Sequence, residues 1–413
     1  MIISEDFLIK QLSILIYLLP LFLITGPFLP DLTVVISSII VLFLIIKKKD
    51  YFYVNNFFFI FFNIWCAYII LRSLLSYNPL LSLESSLFYF RFGIMTIVIW
   101  FIINNNIKFK IIFFYSLLLT YFLVIFHGYI DYFFNFNFFY LGSDGPRLSG
   151  LFNDRLIMGS FLSRLFPLLF ALGYLFFKDN KKLMCLIFII FILTDVLIYL
   201  SGERVAFFNL ALFTLIVIIL SKDWVIFRIL TIFFSLIFII IFSYLEPSSK
   251  DRMVSYTIEQ IGLSSDISEP KYIFSYEHQG IFIASINIFL DNKMFGIGPK
   301  LFREVCLEPK YYSPHRCSTH SHNFYLQLLS ETGLIGVIPL IALYIFFLFL
   351  IFKHFLNKFF KRKYILNDYQ IYLISPFIIN FFPIIPSGSF FNNWLSIVYF
   401  FPVGFLLHNY YKK

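Results

Sequence analysis

Histidine, asparagine, glutamine and glutamate crowd the stretch STHSHNFYLQLLSETGLIG, residues 318–336, which leads into an apolar run starting at Leu334. Histidine is the one side chain whose unperturbed pKa lets it exchange a proton near neutral pH, so His320 and His322 are candidate bases. Ser321 and Asn323 suit helix capping. Arginines form a second group. Arg72, Arg91, Arg147, Arg155, Arg164 and Arg204 lie at the ends of apolar runs or in the loops on one side. A guanidinium offers a planar fork of donors that matches phosphate. Near a membrane its charge is costly and is usually met by a cavity or a partner. A single arginine there can simply snorkel to the lipid headgroups, the simpler reading for Arg72. Arg147, Arg155 and Arg204 come from distant stretches at one membrane level, which points to a shared anionic ligand. Glu203 and Arg204 follow Gly202 in YLSGERVAFF. That stretch reads equally as a helical hairpin turn with a local ion pair or as part of the same site.

The four cysteines divide in two. Cys66 and Cys185 fall in apolar helices and read as packing residues. Cys306 and Cys317 enclose LEPKYYSPHR in a long polar segment, where an oxidising compartment favours a disulfide. Zinc on His315, Cys317, His320 and His322 is the rival. It lacks a CxxC knuckle, and exported thiols oxidise, so no metal is expected.

These residues need elements to hold them. The chain is 60% hydrophobic and only 13% charged, against about 25% charged in an ordinary soluble domain. Apolar runs long enough to cross a bilayer recur from end to end. They fall at about 11–29, 32–46, 54–74, 88–104, 109–127, 156–177, 183–200, 205–221, 224–244, 333–352, 369–386 and 393–409. The expected fold is therefore an all-α polytopic membrane protein of about twelve transmembrane helices, one integral domain over 1–413. The net charge of +9 is spread over short patches between the runs: Lys47 to Lys49, Lys108 and Lys110, Lys178 with Lys181 and Lys182, Lys222 with Arg228, Lys353 to Lys363, and Lys412 with Lys413. That is the positive-inside pattern, not the single basic face of a nucleic-acid binder. With the N-terminus inside, every patch is cytoplasmic. Both termini are then cytoplasmic, and a large loop, 245–332, between helices nine and ten faces outward. Glu5 and Asp6 before the first run, with no small-residue cleavage site after it, predict an anchor rather than a cleaved signal. Within the large loop, 279–292 reads as an apolar helix on the membrane or bundle, and FGIGPKLF as a glycine turn.

A family resemblance now attaches to these residues. HNFYLQLLSETGLIG, with His-Asn, nine residues and Gly-x-x-Gly, resembles the signature of bacterial O-antigen ligases and the related O-antigen polymerases. PRLSGLFNDRLIMGSFLSRLFPL resembles their Arg-x-x-Gly outer-loop motif, LSGERVAF their Ser-x-x-Arg helix opening, and NKMFGIGPKLF their Gly-x-Gly turn. The four occur in the family's order over residues from about 140 to 350. The resemblance implies a GT-C-like glycosyltransferase of the inner membrane with its site facing the periplasm. The donor would be a glycan on undecaprenyl pyrophosphate. The acceptor would be a sugar hydroxyl, on lipid A-core for a ligase or on another repeat unit for a polymerase. No cofactor or nucleic acid is expected, and transfer would invert the anomeric carbon. On this reading His322 is the base, and Arg147 and Arg204 neutralise the pyrophosphate. Arg155, Arg91, Glu203, Asn323, Glu331 and His320 contact substrate. A lipid-linked glycan flippase is the alternative of another class, but it needs polar groups along the whole crossing, whereas here they gather at one level.

Overall fold

A computed structural model describes residues 4–136, 147–153, 155–245, 247–260 and 275–411. The Ser143–Pro146 part of the second outer loop, Asp154, the middle of the large loop and the C-terminal lysines lie outside the described residues. The described chain is helical, with no strand. The N-terminal half holds α1 (Glu5–Phe22), α2 (Phe28–Lys48), α3 (Phe57–Leu74), the short α4 (Pro79–Ser86), α5 (Phe90–Asn105) and α6 (Phe109–Phe134). Then come α7 (Met158–Phe177), α8 (Lys181–Leu200), α9 (Arg204–Leu220) and α10 (Val225–Leu245). The long outer segment carries α11 (Pro247–Lys250), α12 (Tyr256–Gln260), α13 (Tyr276–Asp291) and α14 (Phe302–Val305). The chain closes with α15 (Phe324–Phe359), α16 (Asp368–Asn380) and α17 (Asn393–Tyr410).

Polar residues set where the helices start. Asn56, Asn180, Asn367 and Asn392 each accept a backbone N–H of the first turn, and Gln370 returns the bond to Asn367 N in a capping box. The core is dominated by α5, α7, α16 and α17, whose Trp100, Phe161, Phe166, Phe170, Ile397 and Phe405 are fully buried. The apolar outer faces of α3, α10 and α15 carry exposed Ile, Leu and Phe, as a lipid-facing surface does.

Among the described residues, eight helices are long and apolar enough to cross a membrane: Phe28–Lys48, Phe57–Leu74, Pro79–Asn105, Phe109–Phe134, Met158–Phe177, Lys181–Leu200, Val225–Leu245 and Phe324–Phe359. Each of the twelve expected runs falls on a helix, but four do not meet that standard. Arg204–Leu220 is apolar but has only 17 residues. Residues 369–386 were expected as one span, yet α16 stops at Asn380 after 13 residues, about 20 Å of helix against a core of about 30 Å. Pro383, Pro386 and Gly388 follow, and the chain runs without helix to α17. The first run begins earlier than expected, at Glu5, because Ser4 caps α1.

Arg228 also differs from expectation. It does not belong to a basic loop patch but is wholly buried on α10, with Nη1 2.7 Å from Asp195 Oδ2 of α8. Its Nε and Nη2 donate to Thr214 Oγ1 of α9 at 3.1 and 2.7 Å. Ser235 Oγ donates to the same Asp195 oxygen. One buried pair thus ties α8, α9 and α10. Removing one partner of such a pair strands the other, which costs about 3–5 kcal/mol. Arg228→Ala should therefore unfold in detergent at a clearly lower temperature, while Arg228→Ala combined with Asp195→Ala should recover part of the loss. A double variant no more stable than the single one would rule out this account.

Candidate active site

The α8–α9 turn is a tight corner. Gly202 has φ 68°, a left-handed conformation that favours glycine. The corner turns Glu203 back under the start of α7. Its Oε1 accepts from Gly159 N at 2.7 Å and its Oε2 from Ser160 N at 3.1 Å, so a carboxylate caps the first turn of α7. A methyl group at Gly159 would collide with Ser201 Oγ and press on Glu203. Burial pushes the Glu203 carboxyl up to about 7, against the pull of Arg147, these two N–H groups and Arg164.

Three guanidinium groups gather at this corner. Arg147 donates from Nη2 to Leu156 O at 2.8 Å, and its buried Nε meets no acceptor among the described residues. Arg204 opens α9 and reaches Thr257 Oγ1 of α12. Arg252 lies in the π-helical turn Asp251–Ser255 and donates from Nε to Gly202 O at 2.9 Å. Burial, then the charges of Arg147 and Arg204, hold the Arg252 guanidinium below its ordinary pKa. The corner therefore concentrates positive charge against one half-compensating carboxylate. Arg164, one turn into α7, is committed elsewhere: it bonds Ser160 Oγ and Asn380 Oδ1, at 2.9 and 2.8 Å.

The second group lies at the mouth of α15. His322 has φ 50°, an uncommon conformation for a residue with a side chain and one that collects at functional sites. Its Nε2 is 2.9 Å from Ser318 Oγ, and its carbonyl accepts from Ser387 N at 2.7 Å. The ring centroid of His320 is 4.1 Å away and that of His278, from α13, is 5.1 Å away. Burial, followed by His278, lowers the His322 imidazole to about 4. Burial, then His322, with Arg303 and His278 also contributing, lowers His320 to about 3. His322 is thus kept neutral by burial and a neighbouring histidine. Among the described residues no group of three His, Cys, Asp or Glu has metal-holding geometry.

The polar stretch of residues 318–336 is largely explained by backbone that cannot bond itself. α15 breaks at Gly333, with φ 67° and ψ −169°. The glycine turn docks into the break. Ile297 N and Gly298 N donate to Ser330 O and Glu331 O at 3.0 and 2.8 Å, while Leu334 N donates to Lys293 O at 2.8 Å. A methyl at Gly296 or Gly333 would strike the opposing backbone. Tyr68 and Trp65 of α3 donate to Thr332 O and Gly336 O, and Arg72 donates to Phe295 O and Gly296 O rather than snorkelling to lipid. Glu331 is fully buried and accepts from Gln327 Nε2 and Phe302 N. Asn323 spends Oδ1 on Tyr325 N and Leu326 N, and Nδ2 on Pro383 O and Ile385 O. Both were expected to touch substrate; here both brace the loops that frame the histidines.

Of the other residues expected at the site, Arg91 is ion-paired with Asp31 of α2 at 2.8 Å, and nothing in the structure joins it to the arginine corner. The Arg155 side chain is exposed near Arg147 in sequence but makes none of the corner's bonds. The histidine group is braced on segment 381–392, where Asn323 and His322 bond 383–387; Phe208 of α9 lies tilted against Phe382 of the same segment, and Arg164 bonds Asn380 just before it. Arg252 and His278 were missed by sequence reading, because each lies in the long loop with no motif around it. The thiols of Cys306 and Cys317 are joined, with Cα atoms 5.3 Å apart, which closes the loop beside α13.

Residues 186–341 match the family model described as O-Antigen ligase. The matched segment runs from α8 to the upper part of α15 and contains Arg204, Arg252, His278, His320 and His322. This match over residues 186–341 supports the O-antigen ligase and polymerase superfamily. No curated protein matches the chain. The matched family is one of glycosyltransferase-type membrane enzymes with lipid-linked glycan substrates, and the apolar helices of this chain agree with a membrane setting. Arg147 and Arg155 precede the matched segment, so the place of Arg147 beside the corner rests on the structure alone.

Proposed function

We propose that this O-antigen ligase-type protein moves a glycan from undecaprenyl pyrophosphate onto a sugar hydroxyl of lipid A-core, at the periplasmic face of the inner membrane. The observation that carries this reading is the convergence of Arg147, Arg204 and Arg252 on the Glu203 corner, at the starts of α7 and α9. Pyrophosphate leaves readily once its growing charge is neutralised. Fixed guanidinium groups and the nearby helix start supply that neutralisation. The polyprenyl tail would lie along the apolar outer faces of the bundle, with the sugar reaching toward segment 381–392. His322 takes the acceptor proton as its oxygen attacks the anomeric carbon from the side opposite the pyrophosphate, which inverts the configuration. A bound diphosphate within about 4–6 Å would lift the His322 pKa from its low ligand-free value toward the working pH, where a base is most effective. The positive-inside rule supports this orientation: Lys47 and Lys48 close α2 and Lys358 the last turn of α15, the opposite end of that helix from His322.

The test is deletion of the gene followed by gel analysis of the cell's glycolipids. Loss of every glycan-capped lipid A supports ligation. A cap of a single repeat shifts the assignment to polymerisation. Loss of the caps with the lipid-linked glycan trapped on the cytoplasmic side, rather than accumulating at the periplasmic face, would point to a flippase instead.

A further inference from the structure

Three imidazoles meet at the mouth of α15, and the proposed chemistry uses one of them. His278 belongs to the first turns of α13, on the outer segment rather than on the helix that carries His322. Its Nδ1 is 2.7 Å from Ser275 Oγ. That oxygen also accepts from His278 N. The ring is thereby fixed from its own helix cap. It meets His322 edge-to-face, at 66° between planes. α13 is itself held in place. Ser313 Oγ donates to Gly280 O at 2.8 Å, and a side chain at Gly280 would strike the Pro314 carbonyl. The Cys306–Cys317 bond closes the loop that carries Pro314.

We propose that His278 is a positioning residue for His322, holding its ring at one angle and opposing a positive charge on it, so that His322 faces the acceptor hydroxyl unprotonated. This rests on the reading of His322 as the base. Two imidazolium rings about 5 Å apart repel strongly in a partly buried site, so each favours the neutral form of the other. The remaining charged neighbours act the same way. His320 lies against His322, and Arg303 of α14 acts on His320. Segment 381–392 contributes no titratable side chain. The lowered His322 pKa, with His278 named after burial as its cause, agrees with this arrangement.

The test does not need the natural substrate. Diethyl pyrocarbonate acylates only neutral imidazole, and peptide mass spectrometry resolves the histidines. In the unaltered protein in detergent, modification of His322, corrected for reagent hydrolysis, should stay level from pH 8 to about pH 5, since its pKa is near 4. In His278→Gln and in His278→Ala, the rate at His322 should begin to fall at a higher pH than in the unaltered protein, still below the ordinary histidine value because burial remains. Transfer by both variants should lose on the order of tenfold in kcat, with KM for the lipid-linked donor unchanged. A His322 profile that is the same with and without His278, in both variants, overturns the proposal. If the profile shifts but His322→Ala transfers normally, the coupling stands and the base assignment is what fails.

Discussion

Replacing His322 by alanine should reduce glycan transfer by about 10²–10⁴-fold while the donor still binds. The loss follows from the chemistry of the acceptor. A sugar hydroxyl is a poor nucleophile, and without a base its proton must leave to water as the new bond forms. Donor binding should survive because no arginine of the corner bonds His322. The pH dependence has a definite sign. In the free enzyme the imidazole is neutral above about 4, so kcat/KM should be level through neutrality and fall as the pH drops through that value. His320→Ala should cost much less, since its Nδ1 is turned toward Thr319 Oγ1 and its pKa lies lower still. The measurement is transfer from purified lipid-linked donor, with expression and donor binding scored separately. A dead His320 variant beside an active His322 variant would reverse the assignment. Full activity in both would remove the histidine base altogether.

The arginine corner should show the second largest effect. Arg147→Ala and Arg204→Ala should each lower transfer by about 10²-fold, the scale for removing one fixed donor from a developing negative charge. Arg252→Ala belongs with them, because it shares the same backbone corner and feels both other charges. Lysine should restore activity only in part at each position, since an ammonium lacks the planar fork that can hold two oxygens at once. The contrast is Arg91. It is engaged by Asp31 and has no bond to the corner, so Arg91→Ala should leave donor use near normal. Transfer assays across a range of donor concentrations separate these outcomes. Normal transfer by the three corner variants, at normal expression, would remove the anion site from Glu203.

Glycine substitutions divide the two kinds of motif residue. Gly296 and Gly333 hold no ligand; they let one backbone enter a break in another. The Gly-x-Gly and Gly-x-x-Gly patterns thus carry a single joint, seen from its two sides.

The sequence by itself determined the membrane character and the helical class. Those depend on local quantities: the length of an apolar run, the sign of a loop's charge, and a cap residue before a helix. It also singled out His322, Arg147 and Arg204, because each stands in a short pattern with known neighbours. Tertiary structure alone decided the rest. Arg228 reads as a loop lysine's companion until Asp195, thirty-three residues earlier, is seen beside it in the bundle. Asn323 and Glu331 look like ligands until the backbone they satisfy is in place. Arg252 and His278 come from a long loop without periodicity, and only the packing of that loop over the α8–α9 turn and against α15 brings them to the chemistry. The physical reason is common to all five. A buried polar group is defined by the partner that compensates it, and such partners are set by the path of the chain in space rather than by spacing along it.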